Sequence, residues 1–507
     1  MLEYFAPASV SCPTFDADSE WFPIVDGANY FGELDQLLES LAAGDEILVA
    51  GFEFDPALDL TGRRPGDHGY RTLLDRLISA GAAGVDVRML LAGKVCASFV
   101  PIPGLTGFRT NAAVCRQVNS ARPEGWPTDL PPPLAGHALV DYSGPLLGSN
   151  HQKSVVITHG GAVTAFVGGI DLVTDRFDTS SHDTLTLDGE RWGWHDMALR
   201  LRGPAATRAR DLYLLRWDEA ATLPPRPYLR PRYPLEPINP PAAPTPSRVA
   251  TAEPVPTPET AVRVMRSISN CKLDSLLPWR RHSWADMPPS GVREIFDTLT
   301  TAIGAARRYV YLEDQYLYDY LLGRSREFEM YPHLRNAAAR GVKVILVGSG
   351  TRDPEDPGVN LRPINSTVNR DLRRKILNRL DPDRRRNVAI YRVEHTTVHS
   401  KVMLIDDVFA NIGSANVFSR SMSGMDSEIS AAVVTSTSLV RDLRARVWAE
   451  HLRTPVTPEL TDLDLALGIW DATWLPADRS ATMWRVAGEP AGFAPVETAL
   501  ARVDSPG

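Results

Sequence analysis

His399-Ser400-Lys401-Val402-Met403-Leu404-Ile405-Asp406, closed by Gly413-Ser414-Ala415-Asn416, decides the fold, because an earlier stretch repeats it. His151-Gln152-Lys153-Ser154-Val155-Val156-Ile157-Thr158 runs into Gly168-Gly169-Ile170-Asp171 with the same layout. A lone His-x-Lys arises by chance in a chain of 507 residues. Two of them in matching contexts, near the middles of the two halves, predict one bipartite site built from a duplicated unit. In an extended chain residues i and i+2 share a face, so the His and Lys of each motif project together. The apolar run anchors the strand, and the small-residue turn returns backbone N–H groups and a polar tip to its end.

The repeat extends outward from the motifs. A helical run with Leu34, Leu37, Leu38 and Leu41 precedes the strand-like 46–55, and a helix with Leu73, Leu74, Leu77 and Ile78 precedes 85–91. Later, Ile295, Phe296, Leu299 and Ile303 precede the strand 309–313, and a helix at 334–339 precedes 342–347. Gly-Val-Asp-Val-Arg at 84–88 echoes Gly-Val-Lys-Val-Ile at 341–345. Helical spacing giving way to β-branched runs, twice per half, predicts an α/β fold of sheets layered with helices. Between the halves the chain is too rich in proline for helix or sheet, which predicts a stiff extended linker. The expected division is 1–222, a linker at 223–262, and 263–507 with a C-terminal extension that includes Trp470, Trp474 and Trp484.

Composition sets the surroundings. Hydrophobic content of 43% with 23% charged residues is that of a soluble globular protein, and the length predicts two domains. No apolar run reaches the length of a membrane span. The N-terminal segment lacks a basic region followed by an apolar core, so it does not read as a signal peptide. Cys12, Cys96, Cys115 and Cys271 are scattered, which fits reduced thiols in the cytoplasm better than disulfides or a zinc site. A net charge of −8 gives no global attraction for nucleic acid, so none is expected as a partner.

The chemistry such a site suits is attack on a phosphodiester. One imidazole acts as nucleophile and a second protonates the leaving oxygen. Lys153 and Lys401 supply fixed charge for the non-bridging oxygens, and Ser414 and Asn416 are candidates to add hydrogen bonds to them. Nothing in this chemistry needs a metal or another cofactor. Among the acidic residues, Asp171, Asp183, Asp426 and Glu428 are candidates to orient the histidines, Asp171 and Glu428 foremost. Trp194-His195-Asp196 reads as a packed Trp with a hydrogen-bonded His–Asp pair; Glu313 and Gln315 line the cleft or end a strand. The Pro- and Gly-rich region 95–150 is expected to be a long loop, either a rim of the cleft or a structural insertion. Arg373-Arg374-Lys375 and Arg384-Arg385-Arg386 read as solvated faces, with contact to anionic headgroups as their functional alternative.

His-x-Lys-x4-Asp followed by Gly-Ser-Ala-Asn resembles the signature of the phospholipase D superfamily, intact at 399–416 as HSKVMLIDDVFANIGSAN. GGIDLVTDRFDT (168–179), WHDMALRLRGPA (194–205), YVYLEDQYL (309–317) and SRSMSGMDSEIS (419–430) look like its phospholipid-hydrolysing branch. The resemblance implies two similar α/β/α-sandwich domains from an internal duplication, packed with the active site at their interface. It also implies a phosphohistidine intermediate released by water or an alcohol, with His151 by position the nucleophile and His399 the acid. Asp406 is then a supporting residue of the site. A phospholipid at a membrane surface is the implied partner; oligomeric state is left open. One departure stands out: Thr158 occupies the first motif's Asp position, a loss of charge expected to lower activity or alter its pH dependence. The alternatives are another diester as substrate (a nuclease or a cardiolipin-synthase-like transferase), or a binding protein weakened at Thr158.

Overall fold

The computed structural model describes residues 2–8, 12, 15–16, 18–93, 107–144, 148–182, 193–222, 240–242, 259–269, 291–315, 317, 326–349, 371–393, 396–417, 419–472 and 483–487. The first half contributes β1 (Glu20–Val25), β2 (Glu46–Gly51), β3 (Asp86–Ala92), β4 (Ala138–Asp141), β5 (Ser154–His159), β6 (Ala162–Gly168), β7 (Gly193–His195) and β8 (Met197–Arg202). The second contributes β9 (Thr260–Ile268), β10 (Val292–Arg293), β11 (Tyr309–Glu313), β12 (Lys343–Ser349), β13 (Val388–Val393), β14 (Thr396–Val398), β15 (Val402–Ile405), β16 (Phe409–Gly413), β17 (Glu428–Thr435) and β18 (Met483–Ala487).

These strands form two large sheets of one topology. The first runs β1-β8-β6-β5-β2-β3-β4; the second contains β9-β17-β16-β15-β11-β12-β13 in the same order, with β10 and β18 added at its edges. In both, only the last three strands of the shared seven are parallel. The parallel strands β2 and β12 are apolar runs because both of their faces are covered, and Glu46–Gly51 is buried throughout.

The helices between them follow from local signals. Helix α1 spans Gly27–Glu39, and α2 (Leu73–Ala82) starts at Thr72, whose side chain accepts from Asp75 N at 3.0 Å. Helices α3 (Gly107–Ser120), α4 (Pro204–Thr222), α5 (Glu294–Ala305) and α6 (Tyr331–Ala339) follow. The repeated Gly-Val at 84 and 341 has a physical origin. Gly84 and Gly341 adopt φ of 92° and 100°, ending α2 and α6. The next N–H groups, Val85 and Val342, reach back to Ala80 O at 3.0 Å and Ala337 O at 3.1 Å. That turn releases the chain straight into β3 and β12.

Outer helices pack on the far face of each sheet: Phe31, Leu74 and Leu77 on the first, Ile295, Leu299 and Leu334 on the second. Between the sheets lies one continuous core. Val167, Leu199, Leu201 and Trp217 from the first half share it with Ala410, Ile412, Val433 and Trp448 from the second. Each large apolar side chain buried there contributes about 1.5–3 kcal/mol, so the halves are held as one body.

Three expectations change. β9 begins at Thr260, inside the expected linker, because Ala261 and Val262 pair with β17. Residues near the N-terminus pack on the second sheet: Tyr4 stacks on Phe409 at 6.1 Å and Asp16 bridges to Val262. The region 95–150 is not one loop, since α3 and β4 lie within it. Asp183, Trp474 and nearly all of the Pro-rich stretch lie outside the described residues.

Candidate active site

The His-x-Lys residues are not in the ladders. Each sits just before its strand, at 151–153 and 399–401, level with the C-terminal ends of β2 and β11. Ala50 pairs with Ser154, and Glu313 with Val402, so both motifs emerge where the parallel strands stop.

What fixes the motifs is a reciprocal exchange between the halves. His151 N donates to Ser427 O at 2.9 Å, and His399 N donates to His195 O at 2.8 Å. Each acceptor precedes a carboxylate that holds the same histidine's ring. His151 Nδ1 lies 3.0 Å from both carboxylate oxygens of Glu428, and His399 Nδ1 lies 2.6 Å from Asp196 Oδ2. The backbone pairing agrees, with an Asn150–Ser427 bridge on one side and β14 paired with β7 on the other. With Nδ1–H committed to a carboxylate, each ring keeps Nε2 for chemistry.

The lysines are fixed in the same symmetric way. Lys153 Nζ donates to His151 O at 3.2 Å, and Lys401 Nζ donates to His399 O. Lys153 also lies 3.3 Å from Asp171 Oδ2, with the Phe52 ring 4.7 Å below. Lys401 approaches Gln315 Oε1 at 3.4 Å, while Gln315 Nε2 is buried without a hydrogen-bond partner among the described residues. Burial lowers Lys401 to about 8 against the pull of Asp196 and Asp314. Burial, with Lys401, Arg176 and Lys153 nearby, holds His399 well below the ordinary imidazole value. Burial raises Asp196 against the pull of Lys401.

The other expected residues divide. Glu428 is oriented by Ser414 Oγ and Ser421 Oγ, each donating at 2.6 Å, so Ser414 acts on the carboxylate rather than facing a ligand. Asp171 holds Lys153 and accepts from Phe52 N and Glu53 N at 3.1 and 3.0 Å, which makes it a partner of the lysine, not of a histidine. Asn416 is buried on the turn after β16 with Oδ1 unpartnered among the described residues. Asp426 accepts from Ser149 N at 3.0 Å and from Arg420, bracing the approach to His151.

Asp406 is a correction. It follows β15 at the end remote from Lys401, and accepts from Arg307 N, Arg308 N and Tyr309 N at 2.7, 2.8 and 2.9 Å. With Asp407 it forms the β15–β16 turn, both at positive φ. The first hairpin is two residues per strand longer in its pairing, so its turn is Gly160-Gly161 and Thr158 sits within β5. Thr158 Oγ1 donates to Glu46 Oε1 at 3.1 Å. The latch is made from the opposite strand, by Asp45 accepting from Gly160 N at 3.0 Å and His159 Nδ1 at 2.8 Å. The missing carboxylate therefore concerns hairpin length, not the reacting groups.

Sequence reasoning missed two groups. The sequence pairs Asp196 with the adjacent His195, yet it faces His399, and its approach depends on Gly169, where a Cβ would meet Asp196 Oδ1 at 2.2 Å. Arg176 is buried with its guanidinium 3.3 Å above the Trp194 ring, and its charge acts on His399 and Asp196. Two imidazoles from opposite halves, each with its Nε2 unpartnered among the described residues, together with two lysine ammonium groups, can form and break a bond at an anionic phosphorus centre.

Residues 299–449 match the family model described as "Cardiolipin synthase, PLD-like domain". Phospholipase D alpha 3 of Arabidopsis thaliana is 24% identical over 419 residues, covering 60% of this chain and 48% of the relative. Phospholipase D1 of Schizosaccharomyces pombe is 24% identical over 501 residues, covering 80% of this chain and 33% of the relative. The chain thus spans half or less of the length of these two relatives. The solved phosphatidylserine synthase of Haemophilus influenzae Rd KW20 superposes with a TM-score of 0.51 at 12% identity, covering 85% of each chain, which establishes the shared fold. No helix among the described residues is long and apolar enough to cross a membrane. Sheet topology, the family model over residues 299–449 and the relatives all liken the chain to the phospholipase D superfamily.

Proposed function

We propose that this protein cleaves glycerophospholipids as a phospholipase D, releasing the headgroup alcohol and leaving phosphatidic acid, or a phosphatidyl alcohol when an alcohol is the acceptor. The observation that carries this is the crossed pairing of His151 with Glu428 and of His399 with Asp196, which orients one imidazole from each half, with the charge of Lys153 from the first half acting on His399 of the second. His151 Nε2 attacks phosphorus, an N–P bond forms, and the P–O bond to the headgroup breaks. The leaving oxygen takes its proton from His399. Water or an alcohol, deprotonated by the now neutral His399, then attacks phosphorus and breaks the N–P bond. Lys153 and Lys401 balance charge on the non-bridging oxygens throughout. The named phospholipase D relatives support a phospholipid substrate.

A second order of roles is favoured by one observation. Burial and neighbouring cations lower His399, and a nucleophile must be neutral, so the same steps run with His399 attacking and His151 as acid. Product analysis with phospholipid vesicles and a simple alcohol tests the activity: phosphatidic acid and phosphatidyl alcohol are expected from the native protein and not from His151→Ala or His399→Ala. Trapping labelled enzyme at low pH and locating the phosphohistidine decides the order. Cleavage of nucleic acid with no lipid product would overturn the substrate assignment.

A further inference from the structure

Next to the His399 motif, away from the reacting groups just described, lies a buried cluster that phosphoryl transfer does not use. Asp26 at the β1–α1 junction, His182 after the turn at Thr174–Arg176, His195 at the end of β7 and Glu450 in the helix Leu439–His451 converge there. One ligand atom from each lies within 4.8 Å of the other three. His182 Nε2 is 3.2 Å from Glu450 Oε1, His195 Nδ1 is 3.5 Å from Asp26 Oδ1, and His195 Nδ1 also contacts Glu450 Oε1. The imidazole planes stand at 87° to each other.

Two further observations point to a ligand. Asp26 is 0% exposed, and neither of its carboxylate oxygens makes a hydrogen bond among the described residues; its ion-pair contact is His195 Nδ1 at 3.5 Å, which leaves a buried carboxylate with unfilled acceptor capacity facing the cluster. The outward nitrogen of each imidazole is held by a second carboxylate: His182 Nδ1 by Asp178 Oδ2 at 2.7 Å, and His195 Nε2 by Glu313 Oε2 at 3.1 Å. Metal-binding histidines are oriented in this way, with the other ring N–H given to a carboxylate. Glu313 is itself fixed by Tyr311 OH at 2.6 Å and His451 Nε2 at 2.9 Å.

We propose that Asp26, His182, His195 and Glu450 bind a divalent transition-metal ion, zinc fitting best. Bonds of about 2.0–2.1 Å in a tetrahedron place ligand atoms about 3.3 Å apart, close to the 3.2 Å between His182 Nε2 and Glu450 Oε1 and the 3.5 Å between His195 Nδ1 and Asp26 Oδ1. Two imidazoles select against magnesium and calcium, and two carboxylates cancel the ion's charge. On binding, the protons that His182 Nε2 and His195 Nδ1 share with Glu450 are released, while the outer N–H groups stay on Asp178 and Glu313. The ion's role is structural. It clasps Glu450 of the second half to three ligands of the first, and it braces His195, whose carbonyl holds His399 N at 2.8 Å and Ser400 N at 3.2 Å.

The test is elemental analysis of the untagged full chain, followed by stripping with a chelator and titration with zinc alone while the melting temperature is followed. About one transition-metal ion per chain is expected in the native protein, with a melting temperature that falls on stripping and recovers with zinc. Asp26→Asn and His182→Gln are expected to lose most of the metal and the response to zinc. Native protein without bound transition metal, and unmoved by zinc, manganese or iron(II), would overturn the proposal and leave the cluster as a proton-holding ion network. These readouts on the native chain decide the matter even if a variant fails to fold, and none depends on which diester is cleaved.

Discussion

Asp196 holds the Nδ1 of His399 at 2.6 Å, although the two residues lie 203 positions apart and in different halves of the fold. His151 and Glu428, 277 positions apart, repeat the arrangement in the opposite direction. Each half thus contributes one imidazole and the carboxylate that orients the other half's imidazole. The continuous core between the sheets is what keeps both pairs in register.

If the carboxylates act by fixing the tautomer, Asp196→Asn and Glu428→Gln keep the shape of the site but lose the acceptor that holds Nδ1–H. Each is expected to lower kcat on the order of 100-fold or more while leaving the fold intact. Steady-state rates on phospholipid vesicles, with circular dichroism as control, measure this. Unchanged kcat in Asp196→Asn would separate that residue from the reaction.

Gly169 offers an indirect route to the same effect. A Cβ there would stand 2.2 Å from Asp196 Oδ1, so Gly169→Ala must push the carboxylate away from His399. The expected loss of kcat approaches that of Asp196→Asn, and combining the two changes adds little, since both remove one interaction. A double-mutant cycle on kcat checks this, and full additivity would contradict it.

Lys401 predicts the alkaline limb of the pH profile. Burial brings its pKa down to about 8, so in the free enzyme the ammonium loses its proton as pH rises through that value. kcat/KM should therefore fall with an apparent pKa near 8, whereas the limb in kcat should lie higher, because a bound phosphodiester anion favours the charged form. Lys401→Arg, which stays protonated, should remove the limb at a lower overall rate. A kcat/KM profile that stays flat to about pH 10 would show that this charge is not required.

The sequence carried the architecture because the signal was written twice. Continuous apolar strands, the Gly-Val starts of β3 and β12, and two His-x-Lys motifs each had a counterpart, and each counterpart restricted the other. What stayed hidden depended on pairing across the halves. Nothing local to Trp194-His195-Asp196 says that the aspartate faces a histidine two hundred residues away, and the adjacent His195 invited a local pair instead. Arg176 was equally silent, since a buried guanidinium over Trp194 looks in sequence like any arginine in a turn. Asp406 misled for another reason: counting from the lysine assumes hairpins of equal length, and the first one is longer.

That difference gives the last prediction. Asp406 gathers three backbone N–H groups at the start of β11 and the hydroxyl of Tyr4 at 2.9 Å, all at the end of β15 remote from Lys401. Asp406→Ala should therefore cost about 1–2 kcal/mol of stability by stripping the acceptor from four donors, of which Tyr309 N and Tyr4 OH are partly buried, with kcat close to native. Thr158→Asp, which restores the family pattern in sequence, should not raise kcat. It places a carboxylate beside Glu46, whose oxygen already lies 3.1 Å from Thr158 Oγ1 and pairs with Arg210 at 2.6 Å, so a loss of about 1 kcal/mol is expected. Urea midpoints measured alongside rates separate the two effects. A gain in kcat from Thr158→Asp, or loss of kcat in a folded Asp406→Ala, would return this carboxylate to the reaction and make the threonine a true catalytic deficit.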